Sequence, residues 1–257
     1  MDHLFLSDVH IGAFEDDLEQ VVQHDLISLI EYCADRKIQI HILGDLFDYW
    51  MEYPSWQPNF GSDVLISLKR YIKRVGSVNF ITGNHDNWTN GYFNQLGFSV
   101  TSEFFDITID GKRYFLHHGD GLKDPRYNLP RPVMHRLLRN NLFVKVYQSI
   151  LPPKKGIKLM KAFSDYSKRR AFCDPSVLNN WSENFLNTTP YEIVISGHDH
   201  QPRVLHFDYG TYINLGTFFN DRTVAHYNNG ELELVVWNAS QESLLPFDKH
   251  YKKAASL

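Results

Sequence analysis

The chain has 257 residues and a mass of 30.1 kDa, with 43% hydrophobic residues, a net charge of −4 and a pI near 6.3. That is enough material for one α/β core plus an insertion, and the overall acidity counts against a generic nucleic-acid binder. Its two cysteines, Cys33 and Cys173, lie far apart in helical-looking segments, which excludes a disulfide framework or thiolate metal site and suits a reducing cytoplasm.

Met1-Asp2 leads straight into the strand-like His3-Leu4-Phe5-Leu6, without a basic and apolar leader. Apolar runs elsewhere fall well short of the roughly 20 residues of a membrane span. The expectation is a cytoplasmic protein that can still touch the inner membrane face as a peripheral protein.

After the first strand, Leu18, Val22, Leu26, Leu29, Ile30 and Cys33 recur at helical spacing, followed by a strand over 38–43, a helix over 64–75 and a strand over 77–81. This alternation predicts βαβ units. From Phe104 the pattern shifts to hairpins, with strands at 105–109 and 112–116 around Asp110-Gly111. Further strands are expected at 192–195, 203–207, 211–215, 222–227 and 231–237, with Asn229-Gly230 closing another hairpin and a loosely attached tail after Asn238. Two β-rich layers with outer helices follow.

Between Lys123 and Arg170 the composition changes. Thirteen Lys and Arg stand against two acids, Asp124 and Asp165, a local +11 that leaves −15 for the rest of the chain. Val133, Leu137, Leu138, Leu142, Val146, Tyr147 and Ile150 predict one helix ended by Pro152-Pro153. Ile157, Met160 and Phe163, with Lys158, Lys161, Lys168, Arg169 and Arg170, predict a second, basic amphipathic helix. A third should begin with Asp174 as N-cap and Pro175 at its first position. The whole reads as a single domain carrying a basic helical lid at about 123–186.

Five blocks carry the chemistry: Ser7-Asp8-Val9-His10, Gly44-Asp45-Leu46-Phe47-Asp48, Gly83-Asn84-His85-Asp86, His117-His118-Gly119-Asp120 and Gly197-His198-Asp199-His200. They mix carboxylate, imidazole and amide donors that suit a borderline-hard divalent ion. If the backbone is extended, Asp8 with His10 and His198 with His200 project to one side in pairs. Asp45 can set its two oxygens on two ions, and Asn84 offers a neutral oxygen that does not repel phosphate. Any one block alone is ordinary turn chemistry; the five together describe a two-metal phosphoesterase site.

In this order the blocks resemble the calcineurin-like metallophosphoesterase family. The resemblance spans residues 8 to 200 and implies that family's β-sandwich flanked by helices. It implies that Asp8, His10, Asp45 and His200 hold one metal, and Asp45, Asn84, His118 and His198 the other. Mn²⁺ is the first choice for this thiolate-free set, with iron or zinc as alternatives. The implied reaction is in-line displacement at phosphorus without a covalent intermediate, with His85 as proton or hydrogen-bond donor and Asp48 as its orienting carboxylate. His117 is expected to be structural, and Asp86, Asp120 and Asp199 to support their blocks. His3, His24, His41, His135, His206, His226 and His250 are read as ordinary histidines.

Within that family the Leu4-to-His10 start, Gly44-Asp45-Leu46-Phe47-Asp48-Tyr49-Trp50 and the basic insertion resemble the UDP-2,3-diacylglucosamine diphosphatases. This implies a lipid-linked sugar nucleotide substrate, cleaved to UMP and a diacylated sugar 1-phosphate, and an anionic membrane surface as partner. Asp124, Ser164, Ser167, Lys168 and Arg169 are the expected substrate contacts. Two departures stand out: His85 occupies a position where arginine is usual in that branch, and Asp199 one where threonine is common. The competing readings are a soluble phosphodiesterase or nucleotide pyrophosphatase, a nuclease, and a non-catalytic scaffold.

Overall fold

The computed structural model describes residues 1–168 and 174–247, apart from the side chains of 163–168. The chain order is β1 (His3–Leu6), α1 (Asp16–Arg36), β2 (Gln39–Leu43), α2 (Ser62–Arg74), β3 (Asn79–Ile81), α3 (Tyr92–Leu96), β4 (Ser99–Thr101), β5 (Phe104–Ile109) and β6 (Lys112–His117). A 3₁₀ turn (Pro125–Tyr127) leads into α4 (Val133–Leu138), α5 (Asn141–Ile150), α6 (Pro153–Lys168) and α7 (Pro175–Thr188). The chain continues through β7 (Ile193–Ser196), β8 (Arg203–Phe207), β9 (Gly210–Asn214), α8 (Phe218–Asp221), β10 (Thr223–Asn228), β11 (Glu231–Asn238) and β12 (Ser243–Pro246).

Two sheets result. One runs β12-β11-β10-β1-β2-β3-β4 and the other β5-β6-β7-β9-β8. Strands β1 to β4 pair in parallel, as do β6, β7 and β9, so each sheet has a parallel centre with antiparallel strands beside it.

Alternation along the strands assigns the layers, because successive side chains point to opposite faces. Leu4, Leu6, Ile40, Ile42 and Phe80 pack with α1 and α2, whereas Phe5, Leu43 and Ile81 face Tyr114, Leu116, Ile193, Ile195 and Ile213 of the second sheet. On that sheet's far face Phe115, Val194 and Tyr212 meet Leu178, Trp181, Phe185 and Leu186 of α7. Both sheets are therefore covered on both faces, which is why their central strands read as nearly continuous apolar runs. Asp110-Gly111 and Asn229-Gly230 all have positive φ, the backbone that two-residue hairpin turns demand.

Several expectations are corrected. The stretch 133–150 is two helices, broken at Arg139-Asn140, where the Asn140 side chain accepts the N–H groups of Leu142 and Phe143 and starts α5 anew. Pro153 opens α6 rather than merely closing the helix before it. The chain after Asn238 is not loose at first, since β12 pairs antiparallel with β11. Strand β4 was not foreseen, being three residues at a sheet edge without an apolar run.

Helices α4, α5 and α6 are docked on the body by Leu138, Phe143, Val144, Tyr147, Ile157 and Met160, which pack on Met51, Tyr53 and Trp88. Trp88 Nε1 donates to Leu138 O at 2.8 Å, Tyr49 Oη to Met160 O at 3.0 Å and Gln148 Nε2 to Glu52 O at 2.6 Å. Asp174 caps α7 by accepting the Ser176 N–H. No helix among the described residues is long and apolar enough to cross a membrane.

Candidate active site

All five blocks lie at carboxyl ends of parallel strands: Asp8 after β1, Asp45 after β2, Asn84 after β3, His118 after β6 and His198 after β7. The first three come from one sheet and the last two from the other, so the site forms where the sandwich layers end together. The expected extended backbone is absent. Asp8, His10, Asp45, His198 and His200 have φ between 51° and 74°, in the left-handed region. Their side chains converge because the chain turns sharply after each strand; alternation plays no part. Such backbone is costly for residues with a Cβ and persists where the surroundings enforce it.

Two glycines permit the close packing. A Cβ on Gly83 would lie 2.1 Å from Asp45 Oδ1, and one on Gly197 would lie 2.2 Å from Asp8 Oδ2.

His200 Nε2 is 3.1 Å from Asp8 Oδ1, and His10 Nε2 is 3.7 Å from the same oxygen and 3.8 Å from Asp45 Oδ2. On the other side of Asp45, His118 Nε2 is 3.4 Å from Oδ2 and 3.1 Å from Asn84 Oδ1. The two oxygens of Asp45 have different surroundings. Oδ2 faces both histidines, while Oδ1 accepts the His85 main-chain N–H at 2.9 Å. His198 directs its main-chain N–H to Asp8 Oδ2 at 3.0 Å and sets its ring 5.0 Å, centroid to centroid, from His118.

Among the described residues, three triads have donor atoms within 4.8 Å of one another: Asp8-His10-His200, His10-Asp45-His85 and Asp8-Asp45-His118. The donor set fits divalent cations on two counts. His10 Nε2 is buried with no hydrogen-bond partner among the described residues, at separations from Asp8 and Asp45 too long for hydrogen bonds yet suited to a shared cation. Two fully buried carboxylates also stand side by side, which requires compensating positive charge.

Protons on the neighbouring imidazoles can supply that charge. Burial would push the Asp45 carboxyl up, but His118, His85 and His10 together hold it far below the usual range; His10 and His200 act likewise on Asp8. Burial disfavours the charged imidazoles, yet Asp48, Asp8 and Asp45 raise His10 to about 9, and Asp45 with Asp8 and Asp120 raises His118 to about 10. Burial and the neighbouring His118 instead lower His198 to about 4, so its ring stays neutral, the form that can ligate.

His85 Nδ1 lies 2.7 Å from Asp48 O and 3.3 Å from Asp48 Oδ1; the tighter partner is the main-chain carbonyl, and the same carboxylate is 3.6 Å from His10 Nδ1. Asp86 accepts from Leu46 and Gly83 N–H groups at 2.7 Å each, binding two ligand loops together, and Asp199 pairs with Arg203. His117 is buried against Trp181.

Asp124 caps the 3₁₀ turn and pairs with the exposed Arg126. The side chains of Ser164, Ser167 and Lys168, and all of Arg169, lie outside the described residues. The sequence reading passed over Arg139 and took His135 for an ordinary histidine. Both approach Asp120, at 2.8 and 3.7 Å, but each is one more polar residue in a strongly basic stretch.

Residues 1–202 match the calcineurin-like phosphoesterase family. The chain belongs to that family. It is accordingly a metal-dependent phosphoester hydrolase. The UDP-2,3-diacylglucosamine hydrolase of Neisseria meningitidis serogroup B is 27% identical over 228 residues, covering 84% of this chain and 90% of that protein. The like-named protein of Porphyromonas gingivalis is 29% identical over 151 residues, 58% of this chain and 56% of the relative, so the matched part spans little more than half of that protein. Among solved structures, the E. coli phosphoesterase Yfce is similar at 16% identity with a TM-score of 0.48, covering 95% of this chain and 96% of Yfce.

Proposed function

We propose that this calcineurin-like phosphoesterase hydrolyses the diphosphate of a lipid-linked sugar nucleotide, UDP-2,3-diacylglucosamine, to UMP and 2,3-diacylglucosamine 1-phosphate. The observation that carries this reading is the outer face of the insertion. Val133, Leu142 and Ile150 are 73%, 72% and 69% exposed, and Leu159 is also exposed, on helices that carry Lys145, Lys154, Lys155, Lys158 and Lys161. Apolar side chains interleaved with cations suit acyl chains, diphosphate and an anionic lipid surface. The names of the relatives support the same substrate.

Asp8, His10, Asp45 and His200 would hold one cation and Asp45, Asn84, His118 and His198 the other, with Mn²⁺ the proposed metal. When bound, the pair supplies Lewis acidity and neutralises charge that develops on the phosphoryl oxygens. Asp45 would serve both cations, presenting Oδ2 toward His10 and His118 while Oδ1 accepts the His85 N–H. His118 donates Nδ1–H to Leu43 O at 2.8 Å, which fixes its ring and leaves Nε2 as the ligating atom. His85, held through Nδ1 by Asp48, directs Nε2 toward substrate as the hydrogen-bond and proton donor to the leaving oxygen.

Incubation with Mn²⁺ and UDP-2,3-diacylglucosamine in ¹⁸O-water tests the reading, with label expected in UMP. Label in the lipid phosphate, or no cleavage, contradicts it. His85, where the UDP-2,3-diacylglucosamine diphosphatases usually have arginine, favours one second reading: a soluble phosphodiesterase or nucleotide pyrophosphatase, which would turn over water-soluble diesters without dependence on detergent micelles.

A further inference from the structure

Arg139 sits in the break between α4 and α5 with its side chain only 8% exposed. Its Nη2 donates to Gly83 O at 2.7 Å, Asp120 Oδ2 at 2.8 Å and Thr82 O at 3.1 Å. Nη1 reaches Thr82 Oγ1 at 3.2 Å and Ser102 O at 3.4 Å, while Nε has no hydrogen-bond partner among the described residues. A single guanidinium thus joins the insertion to two ligand loops. Gly83 O belongs to the peptide that leads into Asn84, and Asp120 lies two residues beyond His118. Asn84 Oδ1 and His118 Nε2 in turn lie 3.1 Å apart.

We propose that Arg139 is a positioning residue that couples the seating of the helical insertion to the Asn84 and His118 half of the site. The proposal rests on the two-metal reading above. Among the described residues none of Arg139's hydrogen bonds goes to the loops bearing Asp8, His10 or His200, so its influence should fall on one ligand set.

The chemistry explains why arginine occupies this place. The planar fork meets a carboxylate and two main-chain carbonyls at once, which a lysine ammonium on a flexible stem does not reproduce. A buried cation is tolerated because Asp120 is buried beside it, and a well-bonded buried pair fixes geometry more than it adds stability. Arg131 shares the load from the base of the insertion, donating to Gly121 O, Ser102 O and Glu103, with Nε 3.7 Å from Asp120. Asp120 therefore keeps a cationic neighbour when Arg139 is shortened, and the fold should survive the change. What is lost is the link from α4 and α5 to the Gly83 carbonyl.

Calorimetric titration of the metal-stripped full chain with Mn²⁺ alone tests this, using wild type, Arg139→Ala and Arg139→Lys, with thermal unfolding recorded for each. Wild type should bind two ions. Both variants should keep one ion at wild-type affinity and bind the other about 10–100-fold more weakly, the usual effect of removing a group that orients a ligand. Added guanidinium should recover part of the loss in Arg139→Ala. If that variant does not fold, Arg139→Lys decides alone. Two unchanged affinities, equal weakening of both ions, or loss of both together with the fold in Arg139→Lys would overturn the proposal and leave the two-metal reading standing. Wild type binding fewer than two ions would overturn both.

Discussion

His118 Nε2 lies 3.4 Å from Asp45 Oδ2, while its Nδ1 is fixed on the Leu43 carbonyl. With the ring held at one nitrogen, the other has a single use at a time: it carries a proton for Asp45 or ligates a cation. His10, raised to about 9 by Asp48, Asp8 and Asp45, faces the same choice. Loading with Mn²⁺ near pH 8 should therefore release about two protons, and apparent affinity should weaken as pH falls. Calorimetry in buffers of different ionisation enthalpy measures the release; no net release would contradict the assignment.

Gly83 and Gly197 leave room for the carboxylates of Asp45 and Asp8. Gly83→Ala and Gly197→Ala should each cost about 1–3 kcal/mol of stability through overpacking. Turnover should fall by roughly 100-fold or more, since displacement of a reacting group by about 1 Å is that costly. Denaturant melts beside steady-state rates check both; wild-type rates in either variant would show that the carboxylates need not stay where they are.

His85 is held by Asp48 through main-chain and side-chain oxygens. His85→Ala should reduce hydrolysis of a poor leaving group by about 10²–10⁴-fold, and of an activated aryl ester much less. Asp48→Asn should have a smaller effect, because the main-chain carbonyl still holds the ring. Equal losses on the two leaving groups would remove His85 from proton donation.

Leu142 and Ile150 stand exposed on α5. Replacing both with serine should leave turnover of a small soluble diester unchanged and reduce turnover of the diacylated substrate at least several-fold. The prediction fails if both rates move together, as they would for helices that only complete the fold.

His41 is buried between the sheets, with Asn79 Nδ2 at 3.1 Å from Nδ1 and His3 Nδ1 at 3.0 Å from Nε2. Burial, then His3, lowers it to about 3. Above about pH 6.5 the ring is neutral in both folded and unfolded chains. Below that, the unfolded chain takes a proton that the folded one refuses, so stability falls as pH drops from about 6.5 toward 3, by up to about 1.4 kcal/mol per pH unit. Urea midpoints between pH 8 and 5 should show a shallower acid loss in His41→Leu than in wild type; parallel curves would contradict this origin.

Much of the site was legible because its residues follow strands and are separated by glycines, a pattern that local sequence displays. The way they converge was not. Left-handed backbone at Asp8, His10, Asp45, His198 and His200 is imposed by tertiary packing; Asp and His enter that region more often than other residues with a Cβ, but local sequence does not say where. Layering was readable from Leu4-Phe5-Leu6 and its counterparts, whereas β4 and β12 are short edge strands whose pairing depends on a neighbour already in place. The break at Arg139-Asn140 did carry a signal, an asparagine suited to an N-cap, but helical spacing continues across it. Arg139 itself is one of thirteen cations in its segment, and only the fold distinguishes it.

Anomalous scattering from crystals grown with Mn²⁺ tests the central claim most directly. Two peaks roughly 3.5–4 Å apart are expected, the spacing of two-metal hydrolytic sites. Asp45 should touch both, with Asp8, His10 and His200 around one and Asn84, His118 and His198 around the other. A single peak, or two that do not share Asp45, would contradict the account.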